Sequence, residues 1–236
     1  MNLISIKTGL AALTLMGVTT LAACSTTAKN QNQASSPTPT TASVTSNKQN
    51  ASTHSDAMDR SSHMNHNMSM DLGPADTDYD LRFIDAMMLH HQGAVDMAKE
   101  VLNKSQRPEM KKLAEDIINA QNREINQMKQ WRKTWYPQAS STPMAHHPQM
   151  GHMMPMSQEM MQSMMMSMDL GAANAEFDKR FINAMIPHHE GALVMAQDAL
   201  SKSKRAEIKK LSQDIVTSQQ KEIDQMKQWR KTWYNE

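Results

Sequence analysis

The sequence predicts an all-α fold: a four-helix bundle assembled from two copies of one helical hairpin. Three observations carry this. Residues 68–136 match residues 166–234 at a constant offset of 98 with no gap, and forty-two of the 69 positions are identical. Within each copy the apolar residues recur at steps of three and four, the spacing of one helix face. No segment alternates convincingly with period two, so no strands are expected.

The first helix of the hairpin is marked by Phe83, Met87, His90, Ala94, Met97 and Val101, with Asp76 or Thr77 as its N-cap. "NKSQRP" breaks the pattern, and Pro108 suits the first turn of the second helix. That helix carries Leu113, Ile117, Gln121, Glu124, Met128, Trp131 and Trp135 on one stripe. Two hairpins give four helices of roughly 27 residues, each about 40 Å long. One hairpin cannot cover its own stripe. Packing the two copies together, with pseudo-two-fold symmetry, buries both. Two separate hairpins, each dimerising elsewhere, are the alternative. The paired tryptophans of "WRKTW" close the bundle end.

The flanks read differently. In residues 1–23, Lys7 precedes a short apolar run ending in "LAAC", which resembles a lipobox and makes Cys24 the lipidated residue of a mature lipoprotein. Cys24 is the only cysteine, which excludes intramolecular disulfides and cysteine-rich zinc sites. Residues 24–67 form a polar tether with a short Met/His segment, too poor in apolar side chains to fold alone. The hairpins span 68–136 and 168–236, and a Met/His-rich linker, 137–167, joins them. The chain carries 25 basic and 24 acidic residues, and loss of Lys7 with the signal leaves 24 of each. Such a balance offers no electrostatic footprint for nucleic acid. The expected place is the periplasm or cell envelope, lipid-anchored, at the outer membrane if the source is Gram-negative.

The chemistry concentrates in two places. "MMLHHQGAVDMA" (87–98) and its copy "MIPHHEGALVMA" (185–196) put methionines three and four residues from adjacent histidines. The candidate ligands are Met87, His90, His91, Met97 and Met128, with Met185, His188, His189, Met195 and Met226 in the second copy. Adjacent histidines point about 100° apart on a helix, so one of each pair is expected to aim inward and the other toward a groove or solvent. A hairpin turn centred near residue 105 would place His90 opposite Gln121, Met87 opposite Glu124 and Met128 opposite Phe83. Glu124 and Glu222 would then orient a histidine. Pro187 breaks the backbone ladder beside His188, while Gly93 and Gly191 weaken their helices and fit close helix approach.

The second place is "MAHHPQMGHMMPMSQEMMQSMMMSM" (144–168), with eleven methionines and three histidines but no leucine, isoleucine, valine or phenylalanine. Its candidate ligands are His146, His147, Met150, His152, Met153, Met154 and Met156. For 160–168 a partner-binding methionine surface competes with ligation. Thioether sulfur is a soft neutral donor suited to Cu(I) and Ag(I), and imidazole binds either copper oxidation state. Core filling remains the competing reading for the bundle methionines. The Glu-x-x-His pairs of di-iron bundles are absent from both copies, as are nucleophile–base motifs and phosphate loops.

"FIDAMMLHHQGAVDMA" and "FINAMIPHHEGALVMA", each followed by a segment like "AQNREINQMKQW", resemble the DUF305 family (domain of unknown function 305). The resemblance covers about 75–136 and 173–234. It implies a ferritin-like helical bundle and, for some members, periplasmic copper binding in copper resistance. It points to the same histidines and methionines of both copies, with Met88-Leu89 departing from the usual Ile-Pro. Together these readings predict a non-enzymatic envelope lipoprotein that sequesters or delivers Cu(I), with Ag(I) as surrogate and Cu(II) as a further guest. Its expected partners are metal ions, the membrane through Cys24, and copper-efflux or copper-transfer proteins. The alternative is a helical interaction module with a methionine-rich adhesive surface.

Overall fold

A computed structural model describes residues 70–236. The expectations for the signal segment, the Cys24 anchor and the tether lie outside the described residues. Helices α1 (Tyr79–Lys104) and α2 (Pro108–Trp135) form one hairpin; α4 (Phe177–Lys202) and α5 (Ala206–Tyr234) form the other. Between them lie strands β1 (Met144–His147) and β2 (His152–Pro155) and the short helix α3 (Gln158–Met165). The hairpins meet through α1 and α4, while α3 and β1 pack on α1.

Each hairpin turns in the same way. Ser105 and Ser203 leave the helix in extended conformation, and their hydroxyls accept from the backbone N–H of Arg107 and Arg205, both at 3.1 Å. Pro108, which lacks an N–H to orphan, starts α2 as expected. The N-cap of α1 differs from expectation: it is Asp78. The Asp76 carboxylate instead accepts from the Asp78 N–H and pairs with Arg82 at 2.9 Å, because that buried guanidinium requires an anionic partner.

Reciprocal clasps join the copies at their ends. Lys104 Nζ donates to the Gly171 carbonyl at 2.9 Å, and Lys202 Nζ to the Gly73 carbonyl at 2.8 Å. Arg107 stacks over Trp233 at 4.3 Å and Arg205 over Trp135 at 4.1 Å. The tryptophans thus close the bundle ends, and the cations on their faces are arginines. Because each clasp runs from one copy to the other, neither hairpin completes its own end.

The linker corrects the expectation of no strands. β1 and β2 pair antiparallel, with His146 opposite Met153 and His147 opposite His152. The turn closes where the His147 carbonyl accepts from the N–H groups of Met150 and Gly151, and Gly151 supplies φ +67°. Period two was invisible because both faces of this hairpin carry methionine and histidine, leaving no polar–apolar contrast. Asp85 anchors the hairpin: buried on α1, it holds Arg132 Nε at 2.5 Å and accepts from the Met144 N–H at 2.9 Å. Asn183 takes its place in the second copy, where Arg230 Nε is buried without a partner. The linker therefore docks on the first copy.

Candidate metal centre

Where α1 and α4 cross, the pseudo-symmetric pair His90 and His188 bring their rings to 3.9 Å between centroids, tilted by 50°. The expectation that one histidine of each pair would face a groove or solvent is corrected. His90, His91, His188 and His189 are all buried, with exposures no higher than 1%. At His188 the cover is the end of α3, whose Met165 carbonyl lies 3.1 Å from Nε2. A Cβ on Gly93 would overlap the Met165 carbonyl oxygen, so the linker backbone lies directly on α1 there. Gly93 therefore serves a close helix approach, as expected, and the helix that approaches is α3 of the linker.

Each outer histidine is held by the second helix of its own hairpin. His91 Nε2 lies 2.6 Å from Glu124 Oε2, and His189 Nε2 lies 2.6 Å from Glu222 Oε2. The orienting role read for these glutamates thus has its geometry. The hairpin turn spans 105–107, close to its expected centre. His91, one turn along the face from Met87, is the side chain that reaches Glu124. An ionised glutamate only accepts, so in the neutral imidazole Nε2 carries the proton and the lone pair sits on Nδ1.

Those Nδ1 atoms are the chemical anomaly of the site. His91 Nδ1 and His189 Nδ1 are buried without a hydrogen-bond partner, as are His188 Nδ1 and both nitrogens of His90. Only His188 Nε2 has a further contact, the Met165 carbonyl at 3.1 Å. An orphaned buried polar atom costs about 1–3 kcal/mol, so five in one place demand an explanation. Burial, then the neighbouring imidazoles, holds His90 well below its ordinary pKa, and burial and His189 bring His188 down to about 3. His90 and His188 are therefore neutral at physiological pH, with lone pairs ready for a metal. Among the described residues no three histidine, aspartate or glutamate side chains form a hard-donor cage. What the sequence supplies around the imidazoles is thioether.

The bundle methionines are buried but regrouped. Met87 and Met128 share a core cluster with Met195 of the other copy, while Met185 and Met226 share one with Met97. The expected grouping by repeat is thus corrected for Met97 and Met195. The helices cross near their histidines, so the residue two turns further along each packs into the partner hairpin. Two methionines of the Met/His-rich stretches that are not among the named candidate ligands, Met70 and Met166, approach His90 around Gly191. Their signal was present in the duplicated "MSMDLG" (68–73 and 166–171).

The linker candidates divide between two faces. His146 and Met153 turn toward the bundle, where Met153 Sδ accepts from Arg82 Nη1 at 3.2 Å and His146 packs over Gly73. His147, His152 and Met154 occupy the other face, with Met150 exposed at the tip. Met156 is buried in the core cluster of Met87. Met144, His146, Met156, Met160 and Met164 line a cavity of about 270 Å³ beside β1.

A family model described as "Domain of unknown function (DUF305)" matches residues 80–230. Among solved structures, CopM in its Cu(II)-bound form is similar, with 42% identity, a TM-score of 0.54, and coverage of 66% of this chain and 97% of CopM. CopM in its Cu(I)-bound form and in its silver-bound form obtained by soaking both give 39% identity at the same coverage, with TM-scores of 0.51 and 0.52. A DUF305 fragment from Deinococcus radiodurans is 29% identical, with a TM-score of 0.50 and coverage of 66% of this chain and 96% of the fragment. Uncharacterized protein L153 of Acanthamoeba polyphaga mimivirus is 45% identical over 49 residues, 21% of this chain. The match spans only 32% of that viral protein.

Proposed function

This chain belongs to the DUF305 family, and from that premise we propose that it is a copper-binding envelope lipoprotein that sequesters or delivers Cu(I) and accepts Ag(I) in its place. The observation that carries the reading is the set of five unpartnered imidazole nitrogens buried at one crossing of α1 and α4. A metal ion would satisfy such nitrogens, and the neutral state imposed by burial on His90 and His188 is the ligating state. Buried thioethers of both copies favour a soft monovalent ion over zinc or a hard divalent cation. CopM, similar over most of its length, has structures in Cu(II)-, Cu(I)- and silver-bound forms, which supports copper and silver as cargo here.

Cu(II) would use the imidazoles alone, since a thioether gives it little. The half-buried His147 and exposed His152, with Met150 at the hairpin tip, would capture ions and exchange them with the bundle. The role is binding rather than turnover, with the Cys24 lipid keeping the chain at the membrane beside copper-efflux or copper-transfer proteins. Anaerobic Cu(I) titration of the full chain against a competing chelator tests the reading. The expected result is affinity tighter than micromolar that falls on His→Ala substitution at 90, 91, 188 and 189. Micromolar affinity or weaker, unaltered by those substitutions, contradicts it.

A further inference from the structure

We propose that Met70 and Met166 join His90 in a three-donor site for a single monovalent soft cation, built in the space that Gly191 leaves free. The proposal rests on the copper reading above and names the donors of one ion among those the four histidines would serve. A Cβ on Gly191 would stand 3.2 Å from His90 Nε2, 3.4 Å from Met166 Sδ and 3.3 Å from Met70 Cε. An imidazole nitrogen and two methionine ends thus gather over the bare patch of α4 that Gly191 leaves, and an ion would lie outward of that patch, among the three. The Met70 sulfur is one bond from its methyl carbon, and the terminal torsions of this unbranched side chain are free to turn it toward an ion held by His90 and Met166.

The pseudo-symmetry is broken at this spot, which makes one site rather than two. His188 Nε2 is engaged by the Met165 carbonyl, whereas His90 Nε2 is buried with no partner. The duplicated "MSM" is used in two registers. Its third residue in the first copy, Met70, is buried, while the equivalent Met168 is 58% exposed; its first residue in the second copy is Met166.

Both methionines are held from outside the site. Arg82 donates to the carbonyls of Leu72 and Pro74 at 2.6 Å, pinning the segment that carries Met70. Met166 caps α3 in the left-handed conformation, φ +46°, an unfavourable setting for a residue with a side chain. Two thioethers and one neutral imidazole suit trigonal Cu(I) or Ag(I) and serve Cu(II) poorly.

The test is anaerobic chelator competition with Cu(I) on the full chain, joined to copper K-edge absorption of the loaded protein, for Met70→Leu, Met166→Leu, Met168→Leu and His90→Ala. Leucine conserves buried volume, so the apo melting temperature reports whether each variant keeps its fold. The expected result is a shell of two sulfurs and one nitrogen. Met70→Leu and Met166→Leu should each lose one sulfur and at least the ~10-fold in affinity that even outer-sphere partners are worth; Met168→Leu should match the parent. Retention of affinity and both sulfurs in the two leucine variants, with loss in His90→Ala, overturns this donor assignment and leaves the copper reading standing. Unchanged affinity in His90→Ala as well overturns both.

Discussion

The two mid-helix glycines are sequence equivalents with different surroundings, and substituting each with alanine separates their roles. Alanine is the better helix former by about 1 kcal/mol, so in a bare helix both changes would stabilise. At Gly191 the atoms nearest the new methyl group would be side-chain ends, of His90, Met70 and Met166, at 3.2–3.4 Å. Flexible methionine ends yield by a few tenths of an ångström, so Gly191→Ala should leave stability within about 1 kcal/mol of the parent. At Gly93 the new methyl would overlap the Met165 carbonyl oxygen and stand 2.8 Å from its carbon, and backbone cannot step aside cheaply.

The linker must therefore lift, breaking the His188 contact to the Met165 carbonyl. Overpacking costs about 1–3 kcal/mol and leaving another imidazole nitrogen unpartnered about 1–3 kcal/mol, against the ~1 kcal/mol propensity gain. Gly93→Ala should thus lose roughly 1–5 kcal/mol. Urea unfolding of the apo chain at fixed pH, read at the midpoint and the slope, measures both variants. A Gly93→Ala protein as stable as the parent would refute the docking of the linker on α1.

Three further outcomes follow from the same geometry. Glu124→Gln and Glu222→Gln, which remove the carboxylates 2.6 Å from His91 and His189, should weaken Cu(I) binding about 10–100-fold in chelator competition. Apo stability should fall in acid. His188 is held at about 3 when folded against 6.5 unfolded, so the unfolded chain binds more protons between those values. Its contribution is complete above pH 6.5 and declines by about 1.4 kcal/mol for each unit below, with His90 acting in the same direction; a flat urea midpoint from pH 7 to 5 would contradict this. Asp85→Asn keeps one acceptor but loses the charge opposite Arg132, so it should cost about 1–3 kcal/mol and expose the 140–157 hairpin to proteolysis.

The helical architecture was legible because Phe83, Met87, Ala94 and Val101 mark a face at helical spacing, and an ungapped offset makes the second hairpin repeat the first. The histidine pairs and their glutamates were legible as residue types. Which histidine of each pair reaches its glutamate was not, because a side-chain contact can span a turn on either side of the backbone register. Neither was the exchange of Met97 and Met195 between copies, since a crossing of helices leaves no mark in one hairpin's sequence. The strands at 144–147 and 152–155 escaped because a stretch with thioether on both faces has no alternation to read. Met70 and Met166 were hidden for a related reason. The repeat implies that equivalent residues do equivalent work, and here the third residue of one "MSM" run lies beside the first residue of the other.

The most direct measurement is an anaerobic silver soak of crystals of the full chain, with anomalous scattering locating the ions. The account predicts one well-occupied silver at the crossing of α1 and α4, bonded to His90 Nε2. Silver confined to the 144–156 hairpin, or none retained after a ligand-free wash, would contradict it.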